Sequence, residues 1–328
     1  MKNACVVGYG NIGSVHAQLL EDAPYARLVA VCDIDEAKTA ALCGKKVYND
    51  YADALRDGEV DVVHICTPHF LHVTMALAAL EAGKKVVLEK PAAIDEAQWR
   101  QLRAAKGAKD VCCVLQNRYN PCVEKLLSIC PDVRSIFAAL TWKRDAEYYA
   151  SAPWRGKWAT EGGGVVINQA VHLLDLMLLF GGEAASVCAT ISNKSMPSIE
   201  VEDTCDALIE FESGARGVFF ATNTYPTNSP MRLEIETDDA LYRYSDGALY
   251  RLCKGEASVL AKDTAGVLGK PYWGSGHNKL FEDYYTYLET GNGHFVSLED
   301  ARRVTELTHA LYKSAGERIL LAPGGKRI

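Results

Sequence analysis

Short apolar runs alternate with amphipathic stretches through the first third of the chain. Runs at 3–8, 27–32, 61–66, 85–88 and 111–116 have strand length, and Val62-Val63-His64-Ile65-Cys66 is apolar almost throughout. Continuous apolarity is what a strand needs when helices cover both faces of its sheet. Between these runs, helical spacing predicts helices near 13–21, 35–43, 72–82 and 95–106. The succession implies a parallel, doubly wound α/β sheet.

The pattern changes after Gln116-Asn117-Arg118-Tyr119-Asn120-Pro121. A helix is expected at 122–129 and a strand at 133–143, followed by an aromatic stretch from Glu147 to Trp158. Three glycines, Gly162 to Gly164, precede a long apolar helix expected at 165–180. From 184 to 253 strand patterns follow one another without helices: 185–193, 203–212, 215–224, 231–237, 240–244 and 248–253. Ser213-Gly214 supplies a hairpin turn between the second and third. Phe219 and Ala221 face one way and Val218 and Phe220 the other, so both sheet faces need covering. The 165–180 helix serves for one face, and a second subunit, in a homodimer or homotetramer, is expected on the other. Helices from Tyr272 through Leu288 and over 298–319 close the chain, the latter opened by Ser297-Leu298-Glu299-Asp300. Two domains are therefore expected: an α/β domain at 1–120 and an α+β domain at 121–328 with a large, mainly antiparallel sheet.

The 328 residues leave room for two cores, and a net charge of −7 leaves no basic footprint for nucleic acid or anionic membrane. The first residues run straight into a strand, with no signal-like segment, so a cytoplasmic location is expected. Eleven cysteines contain no C-x-x-C pair, and Cys5, Cys32 and Cys66 fall inside buried strand patterns. They read as reduced, structural thiols, and no metal is expected.

Chemistry enters at the first strand's end, where Gly8-x-Gly10-x-x-Gly13 opens a helix. Gly8 permits the turn, Gly10 lets a pyrophosphate approach the backbone, and Gly13 lets the helix pack close; the amides of Asn11 and Ile12 lie at the helix N-terminus, where phosphate is favoured. The second strand ends in Asp33, about twenty residues on, placed to bind the ribose hydroxyls of a dinucleotide. Its charge opposes a 2′-phosphate, and Ile34 and Asp35 offer no cation to welcome one. NAD is thus expected over NADP, the bland alternative being an aspartate that merely caps the next helix. The third main strand ends in Thr67-Pro68-His69-Phe70-Leu71-His72 and the fourth in Glu89-Lys90-Pro91. Strand ends of this kind carry ligands in doubly wound sheets, so Lys90 faces a nicotinamide crevice or is an ordinary solvated lysine. In the 165–180 helix Asn168 and His172 stand four apart, on one face, with Asp175 three further on; they are either a satisfied core group or a pair aimed into a cavity.

Together these motifs resemble, in order along the chain, those of the glucose–fructose oxidoreductase / inositol dehydrogenase (Gfo/Idh/MocA) family, whose first domain is a Rossmann domain. The nucleotide turn, the T-P-x-x-x-H loop, the E-K-P motif and the glycine-led helix ending His172-Leu173-Leu174-Asp175 all have counterparts there. The resemblance implies an NAD-dependent dehydrogenase acting on a secondary alcohol of a sugar, cyclitol or related polyol, with Lys90 and His172 catalytic. Cofactor contacts are then expected from Gly8, Gly10, Asn11, Ile12, Gly13, Asp33, Thr67, Pro68, His69, His72, Glu89, Lys90 and Asn117. Substrate contacts are expected from Asn168, Tyr149, Trp154, Arg155 and His277. The chain departs from the inositol dehydrogenase pattern at Asn168, where an aspartate is usual, and an amide cannot take a proton. An NAD-retaining glycoside hydrolase or epimerase, and a non-catalytic NAD- or sugar-binding regulator, are the rival readings; a regulator has no need of the Lys90–His172 pair.

Overall fold

A computed structural model describes residues 1–40, 42, 44–129, 132–264 and 274–321. The chain forms two compact units, Met1–Val114 with His277–Ala301, and Leu115–Gly276 with Arg302–Ile328.

The first unit carries a six-stranded parallel sheet of β1 (Lys2–Val7), β2 (Ala26–Cys32), β3 (Lys46–Tyr48), β4 (Val62–Ile65), β5 (Lys85–Leu88) and β6 (Val111–Cys113), in the order β3-β2-β1-β4-β5-β6. Its crossovers hold α1 (Asn11–Glu21), α2 (Glu36–Thr39), α3 (Tyr51–Arg56), α4 (His72–Glu81) and α5 (Glu96–Ala104). Every residue of β4 is buried, as its unbroken apolarity demands. The strand order reverses between β1 and β4, the switch point at which such sheets bind ligands. Two elements were not expected. The edge strand β3 has only three residues, one of them Lys46, the short charged form an exposed sheet edge takes. Helix α3 is announced by Asp50, whose side chain accepts from the Ala52 amide at 2.7 Å. The helix expected at 35–43 is described only as Glu36–Thr39, and Ala41 and Cys43 lie outside the described residues.

A larger departure concerns the segment 277–301, which belongs to the first unit rather than to the second domain. Its helix, α11 (Gly276–Thr290), buries His277, Leu280, Phe281, Tyr284 and Tyr285, a helical stripe of the kind that docks on a core. Phe281 packs edge-on against His16 and His64, and the Tyr284 hydroxyl donates to the Asp110 carbonyl at 2.5 Å. Tyr272 and Trp273, expected to lead into this helix, lie outside the described residues.

The second unit is built on a nine-stranded mixed sheet. Its strands are β7 (Ser135–Thr141), β8 (Ala184–Ser192), β9 (Thr204–Phe211), β10 (Arg216–Thr222), β11 (Arg232–Glu236), β12 (Leu241–Ser245), β13 (Ala248–Cys253), β14 (Glu256–Lys262) and β15 (Arg318–Leu320). They lie in the order β14-β13-β12-β11-β7-β10-β9-β8-β15, antiparallel except where β7 meets β10. The helices are α6 (Pro121–Ile129), α7 (Ala146–Ala150), α8 (Trp158–Glu161), α9 (Val165–Asn168), α10 (Val171–Gly181) and α12 (Leu298–Ser314), the last beginning in the first unit. The helix expected over 298–319 stops at Ser314 because Ala315 and Gly316 turn left-handed, with φ of 48° and 87°. The chain then joins the sheet as β15.

The single helix expected at 165–180 is two. Val165's carbonyl accepts from both Gln169 (3.1 Å) and Ala170 (2.8 Å), which widens the turn, and a new helix starts from the Ala170 carbonyl. The stretch Trp158–Asn168 and α10 meet at a bend of 54°. Asn168 and His172 therefore belong to two successive helices, α9 and α10. Phe219 and Ala221 are fully buried on the α10 side of the sheet, whereas Leu208, Val218 and Phe137 form a cross-strand row exposed by 60%, 45% and 37% on the other. Among the described residues no single helix is long and apolar enough to cross a membrane.

Candidate active site

In the first unit, the turn after β1 is shaped by backbone contact. Gly8 has φ +88°, and a Cβ there would sit 2.7 Å from the Cys66 carbonyl; a Cβ on Gly13 would sit 1.8 Å from the Gly8 carbonyl. Gly10 faces open space, with nothing within 4 Å of a notional Cβ. No side chain caps α1, whose first residues are Asn11 and Ile12. A bare turn leading into an uncapped helix N-terminus fits the pyrophosphate of a dinucleotide. Asp33 locks this turn to β2, for its carboxylate accepts from the Tyr9 amide at 2.6 Å and the Asp35 amide at 2.9 Å. The helix cap is Asp35 and not Asp33, since Asp35 accepts from the Ala37 amide. One cation was overlooked: Lys38 brings its ammonium within 3.6 Å of Asp33. It stands one helical turn beyond Asp35.

The loops after β4 and β5 are tied together by His72. Its Nδ1 lies 2.8 Å from the Pro91 carbonyl and its Nε2 2.9 Å from the Thr67 carbonyl. Burial holds this imidazole below its ordinary pKa, with the two carbonyls pulling the other way. His72 is thus a buried strut between the two loops. Pro68 leads into a short 3-10 turn that buries His69 beside the His72 ring, and Thr67 donates its hydroxyl to Met75. Glu89 is likewise interior. It meets His16 Nε2 at 3.1 Å and accepts from the Lys90 amide at 3.1 Å. Burial alone would raise its carboxyl, but His16, His277 and Lys90 bring it down to about 2. Lys90 stands half-buried at the carboxyl end of β5, before a cis peptide bond to Pro91.

Behind Glu89 runs a buried chain that periodicity did not reveal. His16 Nδ1 lies 3.1 Å from His64 Nδ1, and His64 Nε2 lies 3.0 Å from the Tyr285 hydroxyl. His277, expected on a substrate wall, is buried beside His16 in this interior, with ring centroids 5.9 Å apart. Among the described residues, His16, Glu89 and His277 are the group whose donor atoms, all within 4.8 Å, have the spacing of metal ligands.

In the second unit, the three glycines serve packing. A Cβ on Gly163 would meet the Tyr312 hydroxyl at 2.0 Å, and one on Gly164 the Glu202 carbonyl at 1.8 Å. Glu202, unremarked in the sequence, holds the start of α9: its carboxylate accepts from the Gly164 and Val166 amides at 2.8 and 3.0 Å and from the Tyr312 hydroxyl at 3.1 Å. Burial pushes its carboxyl up to about 7 against those donors. At the other end of α9, Asn168 donates its amide to Glu161 at 2.6 Å, and Glu161 also accepts from the Gly156 amide at 2.5 Å. Glu161 is buried, so an aspartate at 168 would set two carboxylates against each other. That contact gives a physical reason for asparagine here.

Asn168 and Gln169 both donate to the Tyr148 hydroxyl, at 3.4 and 3.1 Å. The neighbouring Tyr149, expected to face substrate, is instead buried with Ile199 and Val201, its hydroxyl accepting from Asn223. The two tyrosines are adjacent on α7 and only packing decides which turns inward. His172 is half-buried on α10, its Nε2 3.5 Å from the Gln116 amide nitrogen. Asp175 pairs not with His172 but with Arg118, at 2.8 and 2.6 Å, anchoring the turn that holds Gln116 and Asn117. Asn117 is buried, and its Oδ1 has no hydrogen-bond partner among the described residues. Trp154 and Tyr148 both lie under the Arg155 guanidinium, at 5.3 and 4.1 Å.

Residues 2–116 match the NAD-binding Rossmann fold model of the Gfo/Idh/MocA oxidoreductase family, and residues 132–243 match the Gfo/Idh/MocA C-terminal domain. The chain belongs to this family, and its first unit contains the family's NAD-binding domain. Among curated relatives, the uncharacterized oxidoreductase YrbE of Bacillus subtilis (strain 168) is 25% identical over 65% of this chain and 64% of its own length. The scyllo-inositol 2-dehydrogenase (NAD(+)) of the same organism is 27% identical over 70% of each chain. The chain thus spans about two thirds of the length of the curated relatives it matches. The WlbA dehydrogenase of Bordetella pertussis, solved in complex with NADH and UDP-GlcNAcA, superposes with a TM-score of 0.85 at 26% identity, covering 98% of both chains.

Burial takes the His277 imidazole down to about 4. The unfolded chain, with the ordinary value near 6.5, therefore takes up a proton that the folded chain refuses as pH falls from 6.5 to 4. The stability from a neutral His277 is complete above pH 6.5 and lost on acidification, by about 3 kcal/mol at most. Urea unfolding at pH 7.5 and 4.5 should show His277→Phe losing less stability over this interval than the parent; equal losses would contradict the assignment.

Proposed function

We propose that this protein transfers a hydride between NAD and a secondary alcohol carbon of a sugar, cyclitol or related polyol, and that it does so in the cytoplasm. What supports this reading is that a chain of this family carries both Lys90, at the carboxyl end of β5, and His172, on the helix that follows the three glycines. None of the described cysteines forms a disulfide, which suits a reducing compartment.

NAD, when bound, supplies the hydride acceptor. His172 takes the proton from the substrate hydroxyl as its carbon is oxidised, the work of a general base. Lys90 donates to the same oxygen and stabilises its growing negative charge. Asn168, oriented by Glu161, contacts a neighbouring hydroxyl of the substrate, and Trp154 offers an aromatic face to the C–H patches of a sugar.

If these roles hold, Lys90→Met and His172→Ala each lower kcat by roughly 10²-fold or more, the usual scale for such groups, with little change in NAD affinity. The measurement is NADH formation from a panel of inositols, aldoses, uronic acids and glycosides, with NAD titrated separately by calorimetry. Full activity in either variant would end this assignment.

Asp33 also leads us to propose NAD over NADP. Both its oxygens are already fixed by backbone amides, so its charge cannot swing away from a 2′-phosphate. NAD should bind at least about tenfold tighter, a difference of 1.4 kcal/mol, and Asp33→Ser should narrow the gap by freeing Lys38 for the phosphate. Equal affinities in the parent protein would refute the preference.

We further propose that two copies pair through the sheet face bearing Phe137, Leu208 and Val218, as a homodimer or as half of a homotetramer. Large side chains in adjacent register on three strands make an apolar row that water covers poorly. Sedimentation at micromolar concentration should find a dimer or larger, and Val218→Asp should shift it towards monomer. A monomeric parent protein would exclude the pairing.

A further inference from the structure

Arg144 and Arg155 approach one aromatic ring from sequence positions eleven apart, with guanidinium carbons 5.1 and 4.1 Å from the Tyr148 centroid. Several other arginines of the second unit have carboxylates: Arg118 is held by Asp175, Arg232 and Arg243 share Glu234, and Arg302 and Arg303 share Glu183. Arg144 and Arg155 form no ion pair among the described residues, although both are half-buried. The Nε of each is shut off from solvent and has no hydrogen-bond partner among the described residues. Arg144 donates through Nη1 to the Lys143 carbonyl and to Asn228, which fixes the head without neutralising it.

The Glu161 carboxylate, whose charge acts on Tyr148, is committed to other donors. Glu161 spends one oxygen on Asn168 and the other on the Gly156 amide. The Tyr148 hydroxyl accepts from Asn168 and Gln169, which leaves its own proton to give. Burial holds that phenol above its ordinary pKa, so the proton is present at neutral pH. Two guanidinium groups with no ion pair among the described residues therefore lie against Tyr148, whose own O–H is unspent and which is in direct contact with Asn168. Half-buried cations without counter-charge are unfavourable in a resting protein and are stabilised when an anion arrives.

We propose that Arg144, Arg155 and Tyr148 form the seat for an oxyanion carried by the substrate, a carboxylate or a phosphate, so that the substrates of this protein are acidic sugars rather than neutral polyols. This rests on the reading of Asn168 as a substrate contact. A planar guanidinium matches either oxyanion with two parallel N–H groups, and stacking on Tyr148 fixes its plane before the anion binds.

The test is calorimetric titration of the NADH-bound protein with a uronate, a hexose phosphate and the matching neutral sugar. A uronate preferred over the hexose phosphate identifies a carboxylate, and the reverse a phosphate. The favoured anionic sugar should bind at least about tenfold tighter than the neutral one, and Arg155→Gln and Arg144→Gln should each remove most of that preference. Arg155→Lys, which keeps the charge and loses the fork, should retain part of it and guards against a Gln variant that fails to fold. Equal affinity for charged and neutral sugars in the parent protein would overturn the proposal. So would weaker NADH binding in the variants with sugar preference intact, which would assign the arginines to the cofactor. Binding is read without turnover: anion preference without oxidation of any sugar would sink the dehydrogenase reading alone, and oxidation without anion preference would sink this one alone.

Discussion

Bare backbone packed on bare backbone is the constraint on which both functional regions depend. In the first unit the start of α1 approaches the Gly8 carbonyl so closely that a Cβ at Gly13 would lie 1.8 Å from it, and in the second a Cβ at Gly164 would lie as close to the Glu202 carbonyl. Any other residue at these positions would force the helix away from its partner, and the glycine is the side chain that is missing rather than a flexible joint. The consequence differs between the two. At the nucleotide turn the close packing leaves the backbone around Gly10 open to a ligand. At Gly164 it seats α9 on the Val201–Glu202 segment, and so sets where Asn168 begins its contacts with Glu161 and Tyr148.

Buried carboxylates then act as fasteners. Glu89 joins α1 to the loop after β5 through His16 and the Lys90 amide, Glu161 joins the Gly156 turn to Asn168, and Glu202 joins the glycine turn to Tyr312. Each takes donors on both oxygens, which offsets the cost of burying it. Their electrostatic outcomes diverge because the donors do. Glu89, beside imidazoles and an ammonium, is held at about 2, whereas Glu202, fed by neutral amides and a phenol, is pushed by burial to about 7. The same logic explains Asn168: beside a carboxylate already committed, an amide is the group that can give a hydrogen bond and carry no charge.

Much of the molecule was legible in its amino acids. The parallel sheet followed from strand runs with no polar face, and the glycine turn with Asp33 twenty residues on located the dinucleotide site, because those signals are local and repeat with the period of the element. The antiparallel second sheet was legible for the same reason, except at β14 and β15, whose residues are half exposed or few. The break between α9 and α10 was not legible, since nothing in Asn168-Gln169-Ala170 forbids a helix; it follows from the anchoring of α9 by Glu202 and Tyr312.

Residue types and their order along the chain were enough to determine the class of fold, the cofactor-binding turn and the family. Which side of a residue faces inward was decided only by tertiary structure. Tyr148 and Tyr149 are equivalent in the sequence, yet one lies against two arginines and the other is buried against Ile199 and Val201. His277 follows a segment read as part of the second domain, yet α11 docks on the first because its Phe281, Tyr284 and Tyr285 complete that core. Asp175 stands one turn from His172, yet its charge goes to Arg118. The physical reason is the same in each case. Periodicity and motif spacing report interactions within about one turn or one strand, whereas orientation, pairing and docking are set by partners distant in sequence, whose approach no local pattern encodes.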